Sequence, residues 1–140
     1  MKHPNIVEVY DYTETEDEFQ LYMEYVNRSS YFEDRIQNVI IIRKNLNPIS
    51  NQTKLKSYAY DMISGLEYIH SFNIIHCDMK LSNMILNKDP LDKAKKPILK
   101  IIDFGLCHVC NTETNKAFMP FKCGSFDYMA PEIGSVLLLE

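Results

Sequence analysis

The segment His76-Cys77-Asp78-Met79-Lys80-Leu81-Ser82-Asn83 places a carboxylate, an ammonium and a carboxamide within six residues, between the apolar runs Ile74-Ile75 and Met84-Ile85-Leu86. A loop fixed at both ends by strands can hold three such groups toward one point, where a proton acceptor and a positive charge act side by side. Asp103-Phe104-Gly105 follows twenty residues after Asn83, at the end of the apolar run Ile98-Leu99-Lys100-Ile101-Ile102, and Ala130-Pro131-Glu132 lies further on. The bland alternative for Asp78 and Asp103 is two loop carboxylates, since loops are commonly acidic, and the joint pattern disfavours it. His76, next to an apolar strand, reads as a hydrogen-bonded core histidine rather than as an acid or base. Cys107-His108-Val109-Cys110 with Cys123 could supply three or four ligands of a tetrahedral zinc site, an alternative weakened because no second Cys-x-x-Cys or histidine pair accompanies it.

The elements that must position these groups follow from periodicity. Residues 6–12 alternate apolar or aromatic with polar, and a second β-rich run, Phe19 to Val26, follows the acidic turn 13–17; together they predict a β-hairpin. Phe32, Ile36, Val39 and Ile40 fall at helical spacing, ahead of a polar stretch containing Pro48. The strongest helix signal is over residues 53–71, with Leu55, Ala59, Met62, Ile63, Leu66 and Ile69 on one face and Lys54, Lys56, Asp61 and Glu67 elsewhere. Asn73 is a left-handed stop. Short strands are predicted around 74–75, 84–86 and 98–102, with Lys88 to Pro97 as a solvated loop between the last two. From Asp103 to Glu132 no period emerges, and a compact domain tolerates so long a stretch chiefly when it is functional.

Composition bounds the class. The 140 residues are 46% hydrophobic and 24% charged, with 4 Gly and 6 Pro, which fits one globular unit and excludes collagen and low complexity. A net charge of −4 argues against a nucleic-acid partner, which needs a cationic face. No apolar run reaches the roughly 20 residues of a membrane span, so no membrane partner is expected. The N-terminal residues carry no secretory pattern, and a cytoplasmic or nuclear location with free thiols is the expectation.

The motifs His-x-Asp-x-Lys-x-x-Asn, then Asp-Phe-Gly, then Ala-Pro-Glu resemble the eukaryotic protein kinase family in order and spacing. His3-Pro4-Asn5-Ile6-Val7 is similar to the lead-in to that family's fourth strand, and Leu21-Tyr22-Met23-Glu24-Tyr25-Val26 to its fifth strand running into the hinge. The resemblance implies an α+β, protein-kinase-like fold, truncated to a partial domain over 1–140, with residues 1–26 from the β-rich N-lobe and 27–140 carrying the hinge, helices, catalytic loop and activation segment.

It also implies roles. Asp78 would orient the substrate hydroxyl and accept its proton, and Lys80 would offset charge on the transferring phosphoryl group. Asn83 and Asp103 would hold Mg²⁺ through hard oxygen donors. ATP would meet the Glu24 carbonyl and the Val26 amide and carbonyl, with Met23 as gatekeeper, Ile85 as apolar floor and Ser30 near the ribose. Val9, His76 and Phe104 would stack as a spine. Ser125 would dock the substrate by bonding Asp78 and Lys80, and Lys80 itself marks the serine/threonine form, so the expected partner is a protein with a Ser or Thr acceptor. Cys77 stands where many kinases have an Arg that pairs with an activation-segment phosphate, and Thr112 and Thr114 are the candidate phosphorylated hydroxyls. The family's Gly-rich loop, its third-strand Lys and its first large helix have no counterpart in these residues, so the 140-residue piece alone is expected to be inactive. The competing reading is a pseudokinase-like regulatory or scaffold module without catalysis.

Overall fold

The computed structural model describes residues 2–26, 48–88, 96–110, 124–131 and 133. The expected helix around Phe32 to Ile40 lies outside the described residues, as do Ser30, Thr112, Thr114, Cys123 and Glu132.

The run expected as one strand over 6–12 divides in two. Ile6 and Val7, 3% and 7% exposed, turn inward. Ile6 bridges Ile101 in parallel, with Val7 N–H donating to the Ile101 carbonyl (3.0 Å) and Ile101 N–H to the Asn5 carbonyl (2.8 Å). The chain then leaves this contact to form β1 (Val9–Glu14), which pairs antiparallel with β2 (Phe19–Met23) across an irregularity between Val9 and Asp11. The hairpin turn is tied by Thr15, whose N–H donates to the Glu18 carbonyl (2.8 Å) while its hydroxyl accepts the Glu18 N–H (3.1 Å). Both faces of the hairpin are exposed among the described residues.

Helix α1 (Pro48–Ser71) carries proline in its first turn, where no donor is lost. It ends at Asn73, whose φ of 57° is the left-handed stop the sequence predicts. Met62, Leu66 and Ile69 of the predicted face are inward as expected, and Leu55 and Ile63 are not. Ile63 is 59% and Leu55 37% exposed, while Tyr58, Met62, Leu66 and Ile69 pack inward. A polar residue shares the inward side: Asp61 accepts the Leu99 N–H (3.2 Å) and pairs with Lys96 (3.3 Å).

After α1 come β3 (Ile74–Ile75), a 3-10 turn (Leu81–Asn83), β4 (Met84–Asn87), β5 (Ile98–Ile101), β6 (His108–Val109) and a second 3-10 turn (Phe126–Tyr128). β4 pairs antiparallel with β5, and β3 with β6. Two apolar clusters hold these pieces together. Met84, Leu86 and Leu99 pack with Tyr58, Met62, Met79 and Leu81; Ile6, Ile69 and Ile101 pack with Leu66, Ile74, Met79 and Phe104. Met79 belongs to both. Its apolar side chain, half-buried between them, therefore anchors the centre of the loop between β3 and β4.

Candidate active site

The loop after β3 is shaped by backbone and by core. Cys77 has φ of 65°, a left-handed conformation that a side chain adopts at a cost of about 1–3 kcal/mol. This turn immediately precedes Asp78, and Met79, packed against both clusters, fixes the loop on its other side.

Around the Asp78 carboxylate four side-chain or backbone donors converge. Oδ1 accepts the Ser125 N–H and the Ser125 hydroxyl, both at 2.9 Å. Oδ2 pairs with Lys80 Nζ at 2.6 Å and accepts Asn83 Nδ2 at 2.9 Å. Lys80 also donates to the Ser125 hydroxyl oxygen (2.8 Å), and Asn83 Nδ2 reaches the Asp78 carbonyl (2.9 Å). Burial pushes the Asp78 carboxyl up, but the donors from Lys80, Ser125 and Asn83 outweigh it and hold the pKa at about 2. Asp78 is thus an ionised carboxylate whose two oxygens both accept hydrogen bonds, and it is 7% exposed.

His76 is the strut beneath it. Its Nδ1 accepts the Asp78 N–H (3.3 Å), which leaves the proton on Nε2 to donate to the Ile102 carbonyl (3.1 Å). The ring, 1% exposed, also lies 4.9 Å from Phe104, so the core reading of this histidine holds. Of the expected spine, His76 and Phe104 are in contact; Val9 is 44% exposed in the hairpin.

Asp103 is reached along β5. Ile102 N–H donates to the Asn83 carbonyl (3.0 Å), so the backbone of the loop and the approach to Asp103 are adjacent. Asp103 has φ of 64°, and its Oδ1 accepts the Gly105 N–H (3.3 Å). The carboxylate is exposed, and the Asn83 carboxamide, whose nitrogen is committed to Asp78, keeps its oxygen as an acceptor.

Ser125 is delivered by Gly124. At φ of 107° this residue runs against the Cys77 carbonyl, where a Cβ would stand 2.6 Å from the oxygen. Only glycine permits that approach. Between the two segments lies a cleft of about 200 Å³ bordered by Ile75, Met79, Tyr128, Met129 and Ile133.

The residues expected around a nucleotide base lie along β2 and β4. Met23 closes β2 opposite Val9, and Glu24 N–H donates to the Glu8 carbonyl (2.8 Å). Val26 is half-buried, and among the described residues neither its amide nor its carbonyl has a backbone partner. Ile85 is 6% exposed and sits opposite Lys100 in the β4–β5 ladder. Lys100 itself escaped the sequence reading. Its signal was a charged residue inside a run otherwise apolar, Ile98 to Ile102, and only the structure shows it buried against Glu24. Among the described residues no three His, Cys, Asp or Glu side chains gather to hold a metal ion, and no helix is long and apolar enough to cross a membrane.

Comparison with known proteins gives the same answer from another direction. The protein kinase domain model matches residues 1–135. A protein of Acanthamoeba polyphaga mimivirus is 32% identical over 146 residues, covering 95% of this chain and 31% of its own length. RAC-beta serine/threonine-protein kinase A of Xenopus laevis is 31% identical over 132 residues, covering 94% of this chain and 24% of its own. Serine/threonine-protein kinase chk-2 of Caenorhabditis elegans is 31% identical over 134 residues, covering 95% and 25%. The chain thus spans a quarter to a third of the length of the curated relatives it matches. Similarity that runs through the hairpin, helix and ladders as well as through the loop they carry leaves one conclusion, that this chain belongs to the protein kinase family.

Proposed function

We propose that this chain carries the catalytic loop, metal ligands and base site for ATP-dependent phosphoryl transfer to serine or threonine hydroxyls of protein substrates. The observation that supports this best is the Asp78 carboxylate held by Lys80, Asn83 and Ser125 at 2.6–2.9 Å. Phosphoryl transfer passes through a loose transition state with little covalent work for the protein, so positioning and charge dominate. Asp78, with a pKa of about 2, is a weak base. Its role is therefore to orient the attacking hydroxyl first and to receive the proton late, when the bond to phosphorus is well formed. Lys80 offsets charge on the transferring group, and Ser125 keeps both side chains on the substrate's side of the loop.

The donor chemistry fits Mg²⁺: a carboxylate at Asp103 and a carboxamide oxygen at Asn83 are the hard ligands this ion takes. Bound there, the ion would neutralise triphosphate charge. Met23, Glu24, Val26 and Ile85 would receive the adenine base. Cys77, a thiol, cannot make the charge-assisted fork that an Arg offers to a phosphate. Activity would accordingly not depend on phosphorylation of Thr112 or Thr114.

The test is transfer of radiolabelled phosphate from ATP to pooled Ser, Thr and Tyr peptides by the intact protein and by Asp78→Asn and Asp103→Asn. Label on Ser or Thr, lost by about a hundredfold or more in either variant, is expected. Label retained by Asp78→Asn, or abolished by joint Thr112→Ala and Thr114→Ala in a folded protein, would refute the assignment of Asp78 and of the phosphate-independent site respectively.

A further inference from the structure

Lys100 is 8% exposed, and phosphoryl transfer as laid out above gives it nothing to do. It sits on β5 between Leu99 and Ile101, which are 1% and 0% exposed and belong to the apolar clusters. Strand alternation sends Lys100 to the other face. There its Nζ lies 2.8 Å from Glu24 Oε1 and donates to the Ile6 carbonyl at 3.2 Å. The two charged side chains are only 10% and 14% exposed, and Glu24 Oε1 accepts no hydrogen bond among the described residues, so the ion pair with Lys100 is its one polar contact there.

Such a pair is a poor source of stability, because desolvation offsets most of the attraction. What it does supply is a fixed distance between the elements that carry it. Glu24 is fastened twice, by its N–H on the Glu8 carbonyl (2.8 Å) and by its carboxylate on Lys100. Lys100 in turn stands directly opposite Ile85 in the β4–β5 ladder, and lies three residues before Asp103. One side chain therefore joins the wall of the base site, its floor and the strand that leads to the metal-binding carboxylate.

We infer that Lys100 is a positioning residue for the nucleotide base: through Glu24 it sets the place of the hinge backbone relative to Ile85. This rests on the nucleotide-binding reading of the site. Displacing one hinge acceptor forfeits about one hydrogen bond, a factor of about five to ten in affinity.

The experiment measures adenosine binding by calorimetry and ATP kinetics in the intact protein and in Lys100→Met, Lys100→Arg and Glu24→Gln. Expected are a rise of about five- to tenfold in adenosine Kd and in KM for ATP for Lys100→Met, with kcat changed less than about threefold, and recovery in Lys100→Arg. Glu24→Gln, which keeps the shape and loses the charge, should weaken adenosine in the same direction, and it carries the test if Lys100→Met does not fold. Adenosine Kd within twofold of the parent in the folded variants, with only the thermal midpoint lowered, would make the pair structural and overturn the inference. Failure of the parent protein to bind adenosine would overturn the nucleotide reading itself, and the inference with it.

Discussion

Gly65 offers a test in which helix propensity and tertiary packing predict opposite signs. It lies in α1, where replacing glycine by alanine ordinarily stabilises by about 1 kcal/mol. Here an added Cβ would stand 2.9 Å from Ile101 Cδ1, 3.1 Å from the Asn5 carbonyl oxygen and 3.3 Å from Asn5 Cβ. The carbonyl cannot move away, since it accepts the Ile101 N–H at 2.8 Å. The methyl of Ile101 is the end of a flexible side chain, but the residue is 0% exposed and packed between Ile6 and Ile69. Overpacking of this kind costs about 1–3 kcal/mol. Set against the propensity gain, Gly65→Ala should destabilise by about 1 kcal/mol, read by urea unfolding with far-UV circular dichroism at unchanged slope. Ile101→Val, which removes the clashing methyl, should cost about 0.5–1.5 kcal/mol alone and close to nothing in the Gly65→Ala background. Stabilisation by Gly65→Ala, or strict additivity of the pair, would refute the close approach of α1 to β5.

Three further outcomes follow from the site. Gly124→Ala should lower stability by more than about 2 kcal/mol and reduce transfer activity, because φ of 107° and a Cβ 2.6 Å from the Cys77 carbonyl leave it no room; an unchanged unfolding midpoint would show that Gly124 does not abut that carbonyl. Asp78 has a folded pKa near 2 against 3.8 unfolded, so its ionised form stabilises above about pH 4 and that contribution fades as pH falls through 2. The stability gap between the parent and Asp78→Asn should therefore be flat from neutrality to about pH 5 and narrow between about pH 4 and 2 in a series of urea titrations; a gap that widens on acidification would reverse the sign. Asn73→Val should lose about 1–2 kcal/mol at φ of 57°, while Asn73→Gly should stay close to the parent, with thermal midpoints as the measure.

Much of this was legible without coordinates because the signals are local. Asp78, Lys80 and Asn83 stand in one short loop bounded by apolar runs, and Asn73 closes a helix whose period is plain. The hairpin announced itself by alternation and an acidic turn. What misled was a pattern with two solutions. Residues 6–12 alternate throughout, yet Ile6 and Val7 join β5 while Val9 onward joins β2. One edge of the α1 face was misplaced for a similar reason: Asp61 counts as polar in any periodicity, but it is half-buried and accepts the Leu99 amide, and Ile63 is left outside.

Family resemblance, the order of the elements and the identity of the polar groups in the loop are all readable from residue type and short spacing. How those groups meet depends on packing between segments distant in the chain. Ser125 is far from Asp78 along the chain, and it arrives only because Gly124 can lie against the Cys77 carbonyl. Lys100 and Glu24 are separated by the whole of α1 and two strands, and nothing in the sequence pairs them until burial removes the water that would otherwise satisfy each. Desolvation is a property of the packed molecule, and it is what turns a scattered set of charges into a site.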